Sequence, residues 1–141
     1  HMQGTPATMQ ADPRYDDVVR EVRDHLAGRV ARLLDAGVAA DAVAVDPGIG
    51  FGKTMAHNLD LLANLDRVRP AGRPLVLGVS RKGVVGTLIG RDRSDRLAGS
   101  LAVACFAVAA NAAHVLRVHD VAAHRDAAVL WAAVSPHRRP E

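Results

Sequence analysis

Asp46-Pro47-Gly48-Ile49-Gly50-Phe51-Gly52-Lys53-Thr54 is the stretch that decides the fold. An apolar run over residues 42–45 precedes it and predicts a buried strand, and an amphipathic run over residues 58–65 follows it and predicts a helix. The stretch is therefore a strand-to-helix loop that opens with a carboxylate and carries glycines at alternate positions. Such spacing lets a backbone approach a flat or anionic ligand closely. In parallel α/β folds, ligands bind at this end of the strands.

A phosphate-binding P-loop is one interpretation of the same residues, because Gly52-Lys53-Thr54 matches the end of the pattern G-x-x-x-x-G-K-[ST]. The first glycine of that pattern would fall on Pro47, which has no N–H to donate. Asp46 would also repel a phosphate. The sequence therefore disfavours a P-loop.

The composition is that of one ordinary globular domain: 141 residues, 49% hydrophobic and 23% charged. Aromatic residues make up only 3%, so alanine, valine and leucine must fill the core. The net charge is +3, but acidic residues alternate with the basic ones, and a nucleic-acid surface is not predicted. No apolar run is long enough to span a bilayer, so we expect no membrane partner and a cytoplasmic location.

Helices alternate with apolar strands along the chain, which predicts an α/β fold with a parallel sheet and right-handed crossovers. Asp16 and Asp120 are the expected N-caps of the first and last helices. We expect residues 1–135 to form one unit and residues 136–141 to form a disordered tail. The predicted strands are residues 42–45, 75–79 and 114–118, and residues 1–6 are expected to be the end of a further strand that enters a loop. The predicted helices are residues 18–34, 58–65, 84–89, 95–111 and 121–134.

Polar side chains follow each of the three strands directly. Because the carboxyl ends of parallel strands meet at one rim, we expect these side chains to converge on a site. No histidine spacing typical of a metal site is present in the sequence. The residues at the strand ends are Asp46, then Ser80-Arg81-Lys82, then Arg117 with His119.

Each of these residues has a plain structural interpretation beside a functional one. Asp46 could simply cap its loop, or it could accept paired hydrogen bonds from a planar, amidine-like edge. Lys82 and Arg81 could be surface charges. Alternatively, Lys82 could donate to a ring carbonyl or ring nitrogen, and the Arg81 plane could stack on a flat heterocycle. Arg117 and His119 share one face of an extended segment and suit a diphosphate, unless Arg117 pairs with a helix carboxylate instead.

Four motifs, in this order, closely resemble those of the dihydropteroate synthase family, the pterin-binding enzymes of folate synthesis. His1-Met2 could instead be a remnant of tag removal, but residues 2–6 and 8–10 resemble the family's segment after its fifth strand, so we favour native sequence. The resemblance implies a (β/α)8 barrel of roughly 250 residues, of which this chain would supply the second half. The motifs are Met2-Gln3-Gly4-Thr5-Pro6, the stretch from Asp46 to Thr54, Gly78-Val79-Ser80-Arg81-Lys82, and Arg117-Val118-His119-Asp120-Val121.

The resemblance also implies a reaction, in which p-aminobenzoate displaces diphosphate from 6-hydroxymethyl-7,8-dihydropterin diphosphate. It implies that Lys82, Arg117 and His119 are catalytic, and that Arg117 and His119 bind the diphosphate. Phe51 would lie near p-aminobenzoate. Lys82 is expected to contact substrate as well. The other residues expected to contact substrate are Met2, Asp46, Gly78, Ser80 and Arg81.

Further expectations come from the same resemblance. Magnesium is the expected cofactor, although its asparagine ligand belongs to the family's first half, so we expect no metal ligand in this chain. We also expect a fragment that is inactive alone, and a homodimer through the late helices. Gly83 stands where many relatives have serine, which weakens any inference about p-aminobenzoate contacts.

The alternative to a dihydropteroate synthase is a non-catalytic half-barrel module that binds a pterin or an anion. A methyltransferase-type pterin-binding domain is disfavoured by the third and fourth motifs.

Overall fold

Residues 1–137 are described by the computed structural model, in which helices surround a short parallel sheet. This arrangement confirms the α/β class. One-turn 3₁₀ helices lie at Ala40–Ala42, Arg93–Asp95 and Ser135–His137. The α-helices are α1 (Val18–Asp35), α2 (Met55–Ala63), α3 (Leu65–Val68), α4 (Gly83–Ile89), α5 (Leu97–Ala109) and α6 (Val121–Val134).

The sheet is parallel, as the sequence predicts. Strand β1 (Val76–Leu77) pairs with β2 (Val115–Leu116), and Val45 forms a parallel bridge to Leu75 on the other side. The paired segments are shorter than predicted, because the chain leaves the ladder at Gly78. All three segments run in one direction, so their carboxyl ends face the same rim of the sheet.

Two expected features of the sheet are wrong. Ala42 belongs to a 3₁₀ turn and not to a strand. The first residues do not form a strand end within the part of the chain that the structure describes. Instead, the backbones of His1 and Gln3 lie against Gly48 and Gly52 of the glycine loop. The amino-terminal segment therefore supports the loop directly.

An aliphatic core lies between the sheet and its helices. α1 packs on α2 and α3, and α5 packs on α4 and α6. Burying one leucine or valine side chain contributes about 2 kcal/mol to the free energy of unfolding. The aliphatic side chains with almost no exposed surface are Val22, Ile49, Leu61, Leu65, Val68, Leu75 and Leu77.

The N-cap residue of α1 differs from the one expected, and that of α6 is the expected residue without a capping hydrogen bond. Asp17, and not Asp16, caps α1, since its carboxylate accepts the N–H of Arg20 at 3.0 Å. Asp16, the predicted cap, lies one residue before the actual N-cap, and its backbone N–H donates to the Glu21 carboxylate. Asp120 occupies the cap position of α6, but its side chain makes no cap hydrogen bond. The carboxylate binds the guanidinium of Arg81, which is a stronger partner than a helix N–H group.

The carboxyl-terminal residues are described only in part. Pro136 and His137, which the sequence places in a disordered tail, lie in the Ser135–His137 turn. The rest of that predicted tail, residues 138–141, lies outside the described residues. Among the described residues, no helix is long and apolar enough to cross a membrane.

α2 begins at Met55, three residues before the predicted start, because Thr54 and His57 form a capping box. The Thr54 hydroxyl accepts the His57 N–H at 3.2 Å, and the His57 ring accepts the Thr54 N–H at 3.3 Å. Both bonds satisfy N–H groups that a helix start leaves without partners. His57 therefore supports its loop and helix.

We predict that Thr54→Ala lowers the free energy of unfolding by about 1 kcal/mol, because the cap is lost from α2. Thr54→Ser keeps the hydroxyl and should lie close to the unsubstituted protein. Urea denaturation followed by circular dichroism measures both changes. Equal loss of stability in the two variants would show that the hydroxyl does not cap the helix.

Candidate functional site

The glycine loop bends through left-handed backbone conformations that favour glycine. Gly48, Gly50 and Gly52 have φ values of 71°, 81° and 60°. One oxygen of Asp46, Oδ1, accepts the N–H of Gly48 at 2.8 Å. Asp46 therefore does cap its loop, as the plain interpretation expects, and it does so with one oxygen only. The second oxygen, Oδ2, lies 3.6 Å from the guanidinium of Arg117, the residue that follows β2.

Side chains from outside the loop hold its backbone in place. Asn58, buried on α2, accepts the Gly50 N–H at 2.6 Å and donates to the Thr54 carbonyl at 2.7 Å. The Tyr15 hydroxyl donates to the carbonyl of Gly52 at 2.8 Å. Neither supporting side chain was predicted from the sequence. Asn58 left a signal, since it is a polar residue at a buried position of an otherwise apolar helix face.

Lys53 lies inside the loop with only 4% of its surface exposed. Its ammonium donates to the carbonyls of Gly48 and Phe51, both at 2.9 Å. Burial lowers the pKa of Lys53 to about 8; the charge of Lys82 adds to this effect and Asp46 partly opposes it. Lys53 is thus bound to its own loop and does not face a phosphate, in agreement with the rejection of a P-loop.

Lys82 reaches across the rim to the same loop. Its ammonium donates to the carbonyl of Ile49 and lies 4.4 Å from the centre of the Phe51 ring, within the range of a cation–π contact. Burial lowers the pKa of Lys82, Asp46 opposes that change, and Arg117 adds to it. Lys82 therefore lies against the loop that carries Asp46 and Phe51.

Arg117 lies over a glycine. Its guanidinium rests against Gly78, where a Cβ atom would overlap it, so only glycine permits this approach. The ion pair with Asp46 is long and 61% of the Arg117 side chain is exposed, so the guanidinium is weakly held. The structure thus brings together three predicted site residues, Asp46, Gly78 and Arg117. The sequence-based alternative for Arg117 is a pair with a helix carboxylate, whereas the carboxylate beside it, Asp46, belongs to the glycine loop.

Ser80 is buried, and its hydroxyl is bonded to His119. The Ser80 oxygen accepts the backbone N–H of His119 at 3.2 Å and lies 3.2 Å from its ring Nδ1. The hydroxyl can donate to Nδ1, which leaves the proton of the neutral ring on Nε2. The sequence predicts a substrate contact for Ser80, whereas the structure gives this side chain a supporting contact with His119.

Arg81 forms a bidentate ion pair with Asp120. Its Nε donates to one carboxylate oxygen at 2.9 Å, and its Nη2 donates to the other. This hydrogen bonding holds the pKa of Asp120 below its ordinary value and raises the pKa of Arg81. Stacking of Arg81 on a heterocycle stays a prediction, since the guanidinium here faces Asp120. The pair itself was not predicted from the sequence.

Two pockets open on either side of Lys82 and Gly83. The first, of about 390 Å³, is called the Phe51 pocket, and the second, of about 350 Å³, is called the cationic pocket. An aromatic ring suits the first and a compact anion suits the second. Besides Lys82 and Gly83, the Phe51 pocket is lined by Gln10, Gly50, Phe51, Lys53, Met55, Asn58 and Val84, and the cationic pocket by Gly78, Ser80, Arg81, Arg93, Arg96, Arg117 and His119.

Met2 lies half-buried between His1 and Gln3, whose backbones support the glycine loop.

Magnesium does not fit the donor set of this site. Within residues 1–137, no three His, Cys, Asp or Glu side chains gather to hold an ion. Asp46, the carboxylate of the rim, faces the cations Lys82 and Arg117, which disfavour a bound divalent cation.

Comparison with known proteins agrees with this geometry. Residues 1–119 match the family model described as pterin binding enzyme. The chain belongs to the pterin-binding enzyme family. Dihydropteroate synthase of Escherichia coli K12 is 48% identical over 121 residues, covering 86% of this chain and 43% of that protein. The resemblance to dihydropteroate synthase is thereby confirmed. The chain spans about half the length of the curated relatives it matches.

Solved structures of pterin-binding enzymes superpose closely on this one. Burkholderia cenocepacia dihydropteroate synthase complexed with 7,8-dihydropteroate has a TM-score of 0.87 and 48% identity, over 97% of this chain and 51% of that one. The Thermus thermophilus enzyme in complex with 4-aminobenzoate has a TM-score of 0.89 and 47% identity, over 96% of this chain and 55% of that one. The backbone of the described site thus follows that of known enzymes.

We predict that Lys53→Met changes how stability depends on pH. The folded-state pKa of Lys53, about 8, lies below the ordinary value of 10.5, so the folded state releases this proton first. Stability should therefore rise with pH between about 8 and 10.5, relative to the Lys53→Met variant.

Urea denaturation at several pH values tests this prediction. In the difference between the unfolding free energies of the unsubstituted protein and Lys53→Met, the contributions of the other titrating groups cancel. A difference that does not change from pH 8 to pH 10.5 would show that Lys53 titrates normally. The variant should also be less stable at every pH, because two loop carbonyls lose their donor.

Proposed function

We propose that this chain forms the second half of a (β/α)8 barrel in a dihydropteroate synthase. That enzyme would join 6-hydroxymethyl-7,8-dihydropterin diphosphate to p-aminobenzoate and release diphosphate. The observation that carries the proposal is the convergence of Asp46, Lys82 and Arg117 around Gly78, beside a pocket rich in cations. The parallel segments, all ending at one rim, support the barrel.

Asp46 would hold the pterin ring. Its Oδ1 is fixed by Gly48, and its Oδ2 can accept a hydrogen bond from the amino and N–H edge of an aminopyrimidinone. Lys82, whose ammonium lies against the same loop, can donate to a ring carbonyl or nitrogen of the pterin. Gly78 allows a flat ring, or the Arg117 guanidinium, to lie against the backbone.

The Phe51 pocket would receive p-aminobenzoate. Its wall combines an aromatic ring with the amide groups of Gln10 and Asn58, and Lys82 stands at its edge. The ligand named for the Thermus thermophilus complex, 4-aminobenzoate, is the same small aromatic acid. Because residue 83 is glycine and not serine, the carboxylate of p-aminobenzoate would meet backbone groups at this position and no side-chain hydroxyl.

The reaction then needs little covalent chemistry from the protein. The amine nitrogen of p-aminobenzoate forms a bond to the pterin methylene carbon while the carbon–oxygen bond to diphosphate breaks. The electron pair leaves with the diphosphate, and the new amine loses a proton. Arg117 and His119 would stabilise the negative charge that develops on the leaving group. Lys82 would stabilise the ring.

Three other expectations remain proposals. A magnesium ion would depend on the oxygens of the diphosphate, and no step above passes through it. A homodimer through α5 and α6 is supported by their exposed apolar side chains, Phe106, Val129 and Leu130. The cytoplasmic location stays a prediction.

We predict that Asp46→Asn weakens binding of the pterin diphosphate roughly 10- to 100-fold, because a charged acceptor of the ring edge is lost. The amide oxygen can still accept the Gly48 N–H, so the loop should keep its shape. Isothermal titration calorimetry, with and without Mg²⁺, measures the change. Asp41→Asn, which removes the same charge from an exposed turn, should bind like the unsubstituted protein. Equal affinity of the Asp46 and Asp41 variants would contradict the proposed pterin contact.

We predict that Arg117→Ala and His119→Ala each weaken binding of inorganic diphosphate about tenfold, since each removes a donor to an anion. The loss for Arg117→Ala should shrink as salt is added, because salt screens this exposed charge. Arg67→Ala removes an exposed cation that does not line the cationic pocket and serves as the control. Binding that is insensitive to both substitutions would place the diphosphate elsewhere.

A turnover assay separates the enzyme from a module that only binds a pterin or an anion. Because we expect the chain to be inactive alone, it is joined to the first half of a homologous dihydropteroate synthase and incubated with both substrates. Chromatographic detection of dihydropteroate then reports the product. Product that disappears in Lys82→Ala would support catalysis by this site. Tight binding of both substrates with no product would favour the binding module.

A further inference from the structure

We propose that Ser100, on α5, is a positioning residue of this site. It holds Arg81 in a left-handed backbone conformation and thereby fixes the direction in which Lys82 projects. Ser100 lies behind the strand-end segment 78–82 and is fully buried, so it does not touch a ligand itself. The inference rests on the proposed function only for the identity of the ligand that Lys82 meets.

Arg81 has a backbone that residues with a Cβ atom rarely adopt. Its φ is 55°, in the left-handed region where glycine is favoured. Such a conformation persists only where the surroundings enforce it, and it often occurs at functional sites. The observation therefore raises the question of which groups hold residue 81.

Ser100 holds the amide side of Arg81. The Ser100 hydroxyl oxygen accepts the Arg81 N–H at 2.9 Å, and the same hydroxyl donates to the carbonyl of Arg96 at 2.7 Å. The hydroxyl is therefore used in both directions, with its orientation set by α5. Alanine at position 100 would leave the partly buried Arg81 N–H without this acceptor.

Arg96 holds the carbonyl side of Arg81. Its Nη1 donates to the Arg81 carbonyl at 3.1 Å, and its Nε donates to the Arg91 carbonyl at 3.1 Å. Gly86 on α4 makes room for this guanidinium, because a Cβ atom there would overlap it. Both backbone polar groups of residue 81 are thus fixed from the start of α5.

This backbone conformation separates two adjacent cations. The Arg81 side chain turns towards Asp120, whereas the Lys82 side chain turns towards the Ile49 carbonyl and the Phe51 ring. A switch of residue 81 to an extended conformation would redirect the chain just before α4 begins. Lys82 would then leave the glycine loop. Ser100 therefore acts on the site through Arg81.

Ser100→Ala tests the proposal, and Ser100→Thr, which keeps the hydroxyl, is the rescue variant. Three measurements are made on the full chain. Amide exchange at Arg81, followed by NMR, should accelerate in Ser100→Ala. The Lys82 ammonium, titrated by NMR, should move from its lowered pKa towards that of an exposed lysine. Affinity for 6-hydroxymethyl-7,8-dihydropterin diphosphate should fall about tenfold.

Two further variants separate positioning from loss of stability. Ala107→Gly weakens the same helix at a buried position that does not touch Arg81, so it should leave the Lys82 titration unchanged. Gly86→Ala strengthens the helical propensity of α4 but pushes Arg96 away from the Arg81 carbonyl. It should shift the Lys82 titration in the same direction as Ser100→Ala, and it serves if Ser100→Ala does not fold.

The outcomes distinguish this inference from the function proposed above. An unchanged Lys82 titration in Ser100→Ala and Gly86→Ala would overturn the inference, whatever the protein binds. Equal shifts in Ser100→Ala and Ala107→Gly would overturn it as well, since only stability would be involved. A shifted titration in a protein that binds no pterin diphosphate would support the positioning role and reject the proposed ligand.

Discussion

The buried ammonium of Lys53 is the interaction on which the rest of this site depends. The glycine loop turns through three left-handed residues, and that path directs the carbonyls of Gly48 and Phe51 inwards. A buried carbonyl without a donor is costly, so the loop requires a donor at its centre. Lys53 supplies it, although its charge must be desolvated. With the carbonyls satisfied, the loop can present Asp46 and the Ile49 carbonyl to the rim.

Charge pairing then decides which cations can meet a ligand. Arg81 is bound to Asp120 through two hydrogen bonds, so its charge is largely compensated within the protein. Arg117 has only a long contact with Asp46 and remains mostly exposed. A planar ligand edge that binds Asp46 would compete for that contact and leave the Arg117 guanidinium for an anion. The weak pair suits a site that must exchange partners, whereas the strong pair suits a support.

The sequence predicted the elements whose signals are local. Apolar runs located the parallel segments, and the polar residues after them, Asp46 and Arg117, do meet at one rim. The sequence does not fix the exact start of a helix, because adjacent residues such as Asp16 and Asp17 offer the same capping chemistry. Contacts between distant segments left no such signal. Ser100 resembles any other small residue of an alanine-rich helix, and its bond to the Arg81 amide appears only after α5 has packed against the rim.

Glycines place the arginines of this site as much as their ion partners do. Gly78 and Gly86 both have ordinary φ values, so neither is required by its backbone. At each position a Cβ atom would overlap a guanidinium, that of Arg117 in one case and that of Arg96 in the other. Because glycine has no side chain, the guanidinium of an arginine can lie against the glycine backbone. Packing there restricts the long arginine side chain, and no buried carboxylate is needed to hold it. Such an arrangement keeps the positive charge available for a ligand, which a tight ion pair would not do.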